Sequence, residues 1–219
     1  MYRFVFAAVM AVPLTVTSAL ALDIGSVQSV LVYAYGTPAT ENRRALFPRS
    51  KVATNEVVET VGDGGLHLTF LDGTDFRLGA ESRVTLDEFV YDPDVSSGKM
   101  ALNLSKGVFR FVSGKLDKRG VRLVTPTVSI GIRGTDFFVV VADDGSTSVK
   151  VEEGEVEVTP LSGGVPAIVV AGSAAIFAAD GAVSLDANVV VNDPGVTGDG
   201  GGDANPSGGD SGGGGGGQH

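Results

Sequence analysis

Residues 125–141 read Thr-Pro-Thr-Val-Ser-Ile-Gly-Ile-Arg-Gly-Thr-Asp-Phe-Phe-Val-Val-Val. Val128, Ile130 and Ile132 alternate with Ser129, Gly131 and Arg133, the period of a strand with one buried face. Gly131 and Gly134 flank Arg133, and glycine in a strand marks a bulge or a close backbone approach. Residues 137–141 are apolar enough to be buried on both faces. The stretch therefore predicts two core strands joined by a tight corner at Arg133 and Gly134.

The pattern repeats on either side. Leu66, Leu68 and Phe70 alternate with His67, Thr69 and Leu71, and Asp72-Gly73 turns the chain into Phe76 and Leu78, a hairpin signal. Residues 27–35 predict a first strand and residues 36–44 a loop, with residues 45–55 ambiguous. Met100, Leu102 and Leu104 form one strand and residues 108–112 another, with Gly107 as the turn between them. Residues 114–120 form a charged turn. Asp143-Asp144-Gly145 and Glu153-Gly154-Glu155 supply further turns, and short strands continue to Leu185. Strands of this length with glycine turns between them, and no helical period, predict an all-β fold, either a twisted β-solenoid-like stack or a stack of β-hairpins.

The composition limits the function. The 219 residues carry 16 Lys and Arg against 26 Asp and Glu, a net charge of -10. That balance argues against a nucleic-acid partner, which needs a basic footprint, and the bland reading of the acidity is solubility. Cysteine is absent, so disulfides, thiolate metal sites and cysteine nucleophiles are excluded. Arg43, Arg44, Arg49 and Lys51 make the one basic cluster. It reads as a solvated face balancing nearby carboxylates, with a docking patch for an acidic partner as the other reading.

Both ends differ from the middle. Arg3, an apolar run from Phe4, and Ala19-Leu20-Ala21 have the form of a signal peptide over residues 1–21. Residues 22–190 then form the folded domain, with no later segment apolar enough to span a membrane. Residues 191–219 are nearly all Gly, Asp, Asn, Ser and Pro, a composition expected to stay disordered. The expected location is periplasmic or secreted.

Several pieces occur together and in order: Phe70-Leu71-Asp72-Gly73-Thr74 with Leu78-Gly79, then Gly107-Val108-Phe109-Arg110, Thr125-Pro126-Thr127, residues 130–137, and residues 151–158. In these pieces the chain resembles the FecR domain, named for the regulator of ferric-citrate transport, over residues 58–170. The resemblance implies an exported all-β domain. In the best-known members that domain senses an outer-membrane receptor and sits behind a cytoplasmic anti-sigma segment and a membrane helix. In this sequence a signal peptide is expected where those members carry these segments.

No catalytic constellation stands out. Within residues 22–190 there is no Gly-x-Ser-x-Gly elbow, and His-Glu-x-x-His and Walker loops are missing from the whole sequence. His67 is the one histidine within the domain, and its alternation with Leu66 and Leu68 reads as an outward strand position. Asp72, Asp143 and Asp144 fall at turns, where aspartate bonds its own backbone, so no metal and no cofactor is expected. The candidate structural or partner-contact residues are Arg133, Asp136, Gly131 and Gly134. Arg133 has the donors to tie the corner to Asp136 or to a neighbouring turn. Phe109, Phe111, Phe137 and Phe138 read as core. The expectation is a non-enzymatic binding module of the cell envelope whose partner is another envelope protein. The alternative is a structural or glycan-associated envelope protein.

Overall fold

The computed structural model describes residues 22–185 together with residues 191 and 194. The expected signal peptide and all but those two residues of the expected tail lie outside the described residues. No helix among the described residues is long and apolar enough to cross a membrane.

Among the described residues, seventeen strands build two facing layers. In chain order they are β1 (Asp23–Leu31), β2 (Ala34–Thr37), β3 (Arg44–Ala45), β4 (Lys51–Ala53), β5 (Glu56–Thr60), β6 (Gly65–Phe70), β7 (Asp75–Leu78), β8 (Arg83–Asp92) and β9 (Ser97–Val112). They continue with β10 (Val121–Val124), β11 (Val128–Ile132), β12 (Asp136–Val141), β13 (Thr147–Glu153), β14 (Glu155–Pro160), β15 (Ala167–Val170), β16 (Ala174–Phe177) and β17 (Val183–Leu185). The first layer has the order β4-β1-β6-β7-β9-β12-β13-β16-β17. The second has the order β3-β2-β5-β8-β9-β10-β11-β14-β15. Neighbours are antiparallel except β9 and β10, which run parallel. Seven pairs of consecutive described strands, β6–β7 and β12–β13 among them, form hairpins shared out between the layers, and the all-β expectation stands.

β9 belongs to both layers. Its first ten residues pair with β8, and its last six with β12. The bend falls at Gly107, whose φ of +109° is open to glycine and whose Cβ, if present, would overlap Ser82. Reading Gly107 as a turn between two strands is therefore corrected. The glycine lets one strand change layers without ending.

The core lies between the layers. Alternation puts Leu66, Leu68 and Phe70 of β6 inside, with Phe76 and Leu78 of β7, Phe109 and Phe111 of β9, Ile130 and Ile132 of β11, and Phe137 and Val139 of β12. Phe76 stacks on Phe109 with ring centres 5.8 Å apart, and Phe70 meets Phe89 of the other layer at 5.6 Å. The two predicted strands of the 125–141 stretch both exist, but they do not pair with each other. β11 lies in the second layer and β12 in the first, so the corner at Arg133 and Gly134 is the crossing between layers.

Two boundaries differ from the sequence reading. The strand expected at 27–35 breaks at Val32, which has a left-handed φ of +61°, and β2 starts at Ala34 in the other layer. The loop expected at 36–44 holds the end of β2 and the start of β3. The charged turn at 114–120 also carries a buried residue, Leu116.

Candidate functional site

The predicted candidates separate in space. Arg133 is exposed and reaches across the outer face of the second layer to Glu155 Oε1 at 3.3 Å and Glu157 Oε2 at 3.2 Å. It does not pair with Asp136, and the two glutamates lie on strand β14 rather than in a turn. Gly131 lies in regular strand, facing Arg122 and Glu157. A Cβ there would meet nothing nearer than the Glu157 carbonyl oxygen at 3.8 Å, so the bulge or close approach expected at Gly131 is not present. Gly134 does need its freedom, with a φ of +80° at the crossing.

Asp136 belongs to a different site. Its Oδ1 and Oδ2 accept from Arg110 Nε and Nη2 at 3.0 and 2.8 Å, a bidentate pair between β12 and β9. The Arg110 guanidinium also lies over the Phe138 ring, 5.2 Å from its centre. Phe138 is buried but stands apart from the inter-layer core, because its neighbour Phe137 takes the inward position. Placing all four phenylalanines in the core is therefore corrected for Phe138, which packs on the outside of the first layer under Arg110.

A row of ion pairs continues along that outer face. His67 Nε2 meets Asp75 Oδ2, and Arg77 Nε donates to Asp75 Oδ1 at 3.0 Å. Burial works against the Asp75 carboxylate, but the hydrogen bond from His67 and the charges of His67 and Arg77 outweigh it and hold its carboxyl below the usual range. Lys150 Nζ reaches Glu152 at 2.7 Å further along. His67 thus faces outward as expected, in an ion-paired row.

Sequence reasoning missed two buried carboxylates. Asp72 is 1% exposed. Its Oδ1 accepts from the Thr74 backbone N–H at 3.1 Å, and its Oδ2 accepts from the Thr74 hydroxyl at 2.7 Å and the Leu116 N–H at 3.4 Å. The Asp72 carbonyl accepts from Lys115 N–H at 2.9 Å. One turn aspartate thereby fastens the β6–β7 hairpin to the β9–β10 connection. Glu56 takes an inward position at the start of β5 with no exposure. Arg44 Nη2 donates to it at 2.8 Å and Ala53 N–H at 2.9 Å. Burial raises its carboxyl above the usual value despite those two donors. The lack of a side chain at Gly36 leaves room for Glu56, since a Cβ there would overlap its Oε1.

The basic cluster divides in the same region. Arg44 serves Glu56, and Arg43 lies 3.4 Å from Glu59 and over the Tyr35 ring at 3.7 Å. These two balance carboxylates as expected. The remaining cations, Arg49 and Lys51, are exposed. Among the described residues no group of three or more His, Asp or Glu side chains is placed to hold a metal ion.

One comparison with known proteins finds a family. The FecR protein profile matches residues 56–157, from buried Glu56 through the hairpins that carry Asp72, Arg110, Asp136 and Arg133. No curated protein sequence matches the chain. Two crystal structures of a candidate anti-sigma factor from Parabacteroides distasonis ATCC 8503, at 2.50 and 1.65 Å, are similar in shape. Each has 18% sequence identity and a TM-score of 0.48 over 59% of this chain. The chain spans 58% of the length of those structures. Over residues 56–157, a little under half of its length, the chain is similar to the FecR protein family.

Proposed function

We propose that this protein is an exported, non-enzymatic module of the cell envelope that acts through protein–protein contact in envelope signalling. The observation that carries the reading is the FecR match at residues 56–157. The arrangement of the surface supports it. Ion pairs run along both outer faces, as at Asp75 and Arg133, which suits a broad contact surface better than a cleft for chemistry. The absence of a catalytic signature in the sequence points the same way.

Affinity capture tests this, with the full chain as bait in native envelope extract and bound species identified by mass spectrometry. Enrichment of one receptor or membrane regulator that survives moderate salt is expected. Recovery of wall glycan, or of nothing that survives salt, would transfer the protein to a structural role in the envelope.

A further inference from the structure

The end of the stack where β1 crosses to β2 carries a hollow that none of the ion-paired rows uses. It has a volume of about 320 Å³ and is walled by Val32, Tyr33, Tyr35, Ala45, Phe47 and Pro48, among others. Tyr33 is 61% exposed and Phe47 65%. Two aromatic side chains this open, lining one hollow on a chain with few aromatics, form an apolar patch of the kind that marks a contact site.

Three further observations say what it takes. First, the wall is built at a cost. Val32 sits at a φ of +61°, where a β-branched residue is strained and glycine or asparagine would serve the bend with less strain. Valine there adds its side chain to the hollow. Second, the rim is cationic on a protein of net charge -10. The Arg43 guanidinium covers the Tyr35 ring at 3.7 Å and shares Glu59 with Arg83, so these three charges leave one positive charge over. Arg49, one residue beyond Pro48, is exposed, and its guanidinium has no hydrogen bond or ion pair among the described residues. Third, β3 is the outermost strand of the second layer, and its Ala45 lines the hollow. An extended segment laid along this edge finds unpaired backbone groups beside an apolar hole.

We propose that this hollow is a docking site for an extended, acidic segment of a partner protein, which seats one large apolar side chain between Tyr33, Tyr35 and Phe47 while its carboxylates meet Arg43 and Arg49. The assignment rests on the reading of the protein as a protein-binding module and names the face and the chemistry.

The chain reports on this site by itself. It has no tryptophan and four tyrosines, and two of those, Tyr33 and Tyr35, line the hollow. The probe is a capped peptide, Gly-Ser-Asp-Phe-Asp-Ser-Gly, titrated against the full chain to about 1 mM with tyrosine emission as readout. A saturable change is expected. It should weaken at least tenfold when both aspartates of the peptide are replaced by lysine, and vanish when its phenylalanine is replaced by glycine. Phe47→Ala and Tyr33→Ser should each abolish the response, and Arg43→Ala should weaken it several-fold. Both aromatic positions are mostly exposed, so these variants should keep the circular dichroism of the parent. No saturable change with the acidic peptide, equal affinity for the lysine peptide, or full binding by both aromatic variants would each overturn the assignment. Self-association in sedimentation that Phe47→Ala removes, with no response to peptide, would overturn it in favour of a second copy of this chain. Failure at the hollow leaves the envelope reading standing if partner capture succeeds, so the two are separable.

Discussion

Gly154 and Gly134 meet backbone to backbone where the chain crosses between layers. Gly154, between β13 and β14, has a φ of +78°, and a Cβ on it would stand 3.0 Å from the Gly134 carbonyl carbon and overlap its oxygen. The two crossings, one between β11 and β12 and the other between β13 and β14, thus touch through residues that have no side chains.

Gly154→Ala is therefore expected to destabilise the fold by about 3 kcal/mol, from left-handed strain plus displacement of backbone. Gly163→Ala is the control. Its φ of +89° is also left-handed, but a Cβ there meets nothing within 4 Å, and a loss of about 1 kcal/mol is expected. Urea unfolding of the two variants measures the difference, and equal losses would remove the close contact as the cause.

Asp72 joins two connections that are distant in sequence. Asp72→Ala leaves the Thr74 and Leu116 N–H groups without their acceptor in a buried setting. A loss of about 2–4 kcal/mol is expected. Amide exchange should rise at residues 72–74 and at Leu116 together. Faster exchange at the hairpin alone would mean that Asp72 does not fasten the β9–β10 connection.

The two arginines near the 125–141 stretch should differ. Arg110 is bidentate to Asp136, half-buried, and packed on Phe138, and Arg110→Ala is expected to cost about 2 kcal/mol. Arg133 pairs on an exposed face, and Arg133→Ala should cost less than about 1 kcal/mol. Melting temperatures of the two variants in one buffer decide the order, and a larger loss at Arg133 would reverse it.

Asp75 gives a pH signature. Its carboxyl is held below the ordinary value of about 3.9. The stabilisation it supplies is therefore complete above that value and disappears as pH falls through the lower, folded value. Asp75→Asn should trail the parent by about 1 kcal/mol near pH 6, and the gap should close in acid. A gap that persists to pH 2 would assign the loss to packing. Glu56 has the opposite sign. Its raised carboxyl favours the folded state most at low pH, and that advantage fades as pH rises through the folded value.

The strands were legible where the period of two was clean. Leu66, Leu68 and Phe70 announced β6, and Val128, Ile130 and Ile132 announced β11, because a half-buried strand has few other patterns available. The boundaries that failed broke local rules. Valine at residue 32 does not signal a left-handed bend, and Gly107 signals a turn whether or not the strand continues through it. The ion pairs were less legible still. Arg110 and Asp136 are 26 residues apart and meet only because β9 and β12 pair in one register. Asp72 and Asp144 look alike in sequence as turn aspartates, yet Asp144 is exposed and Asp72 is not. Burial of a turn is set by what folds over it, which a local pattern does not contain.

The double membership of β9 has a consequence for unfolding. It is the only one of the described strands that forms strand ladders in both layers. Peeling either layer away from β9 exposes the core face of the other, so neither has a separate melting point. The protein should lose its two layers in one cooperative transition, with no half-folded state accumulating between them.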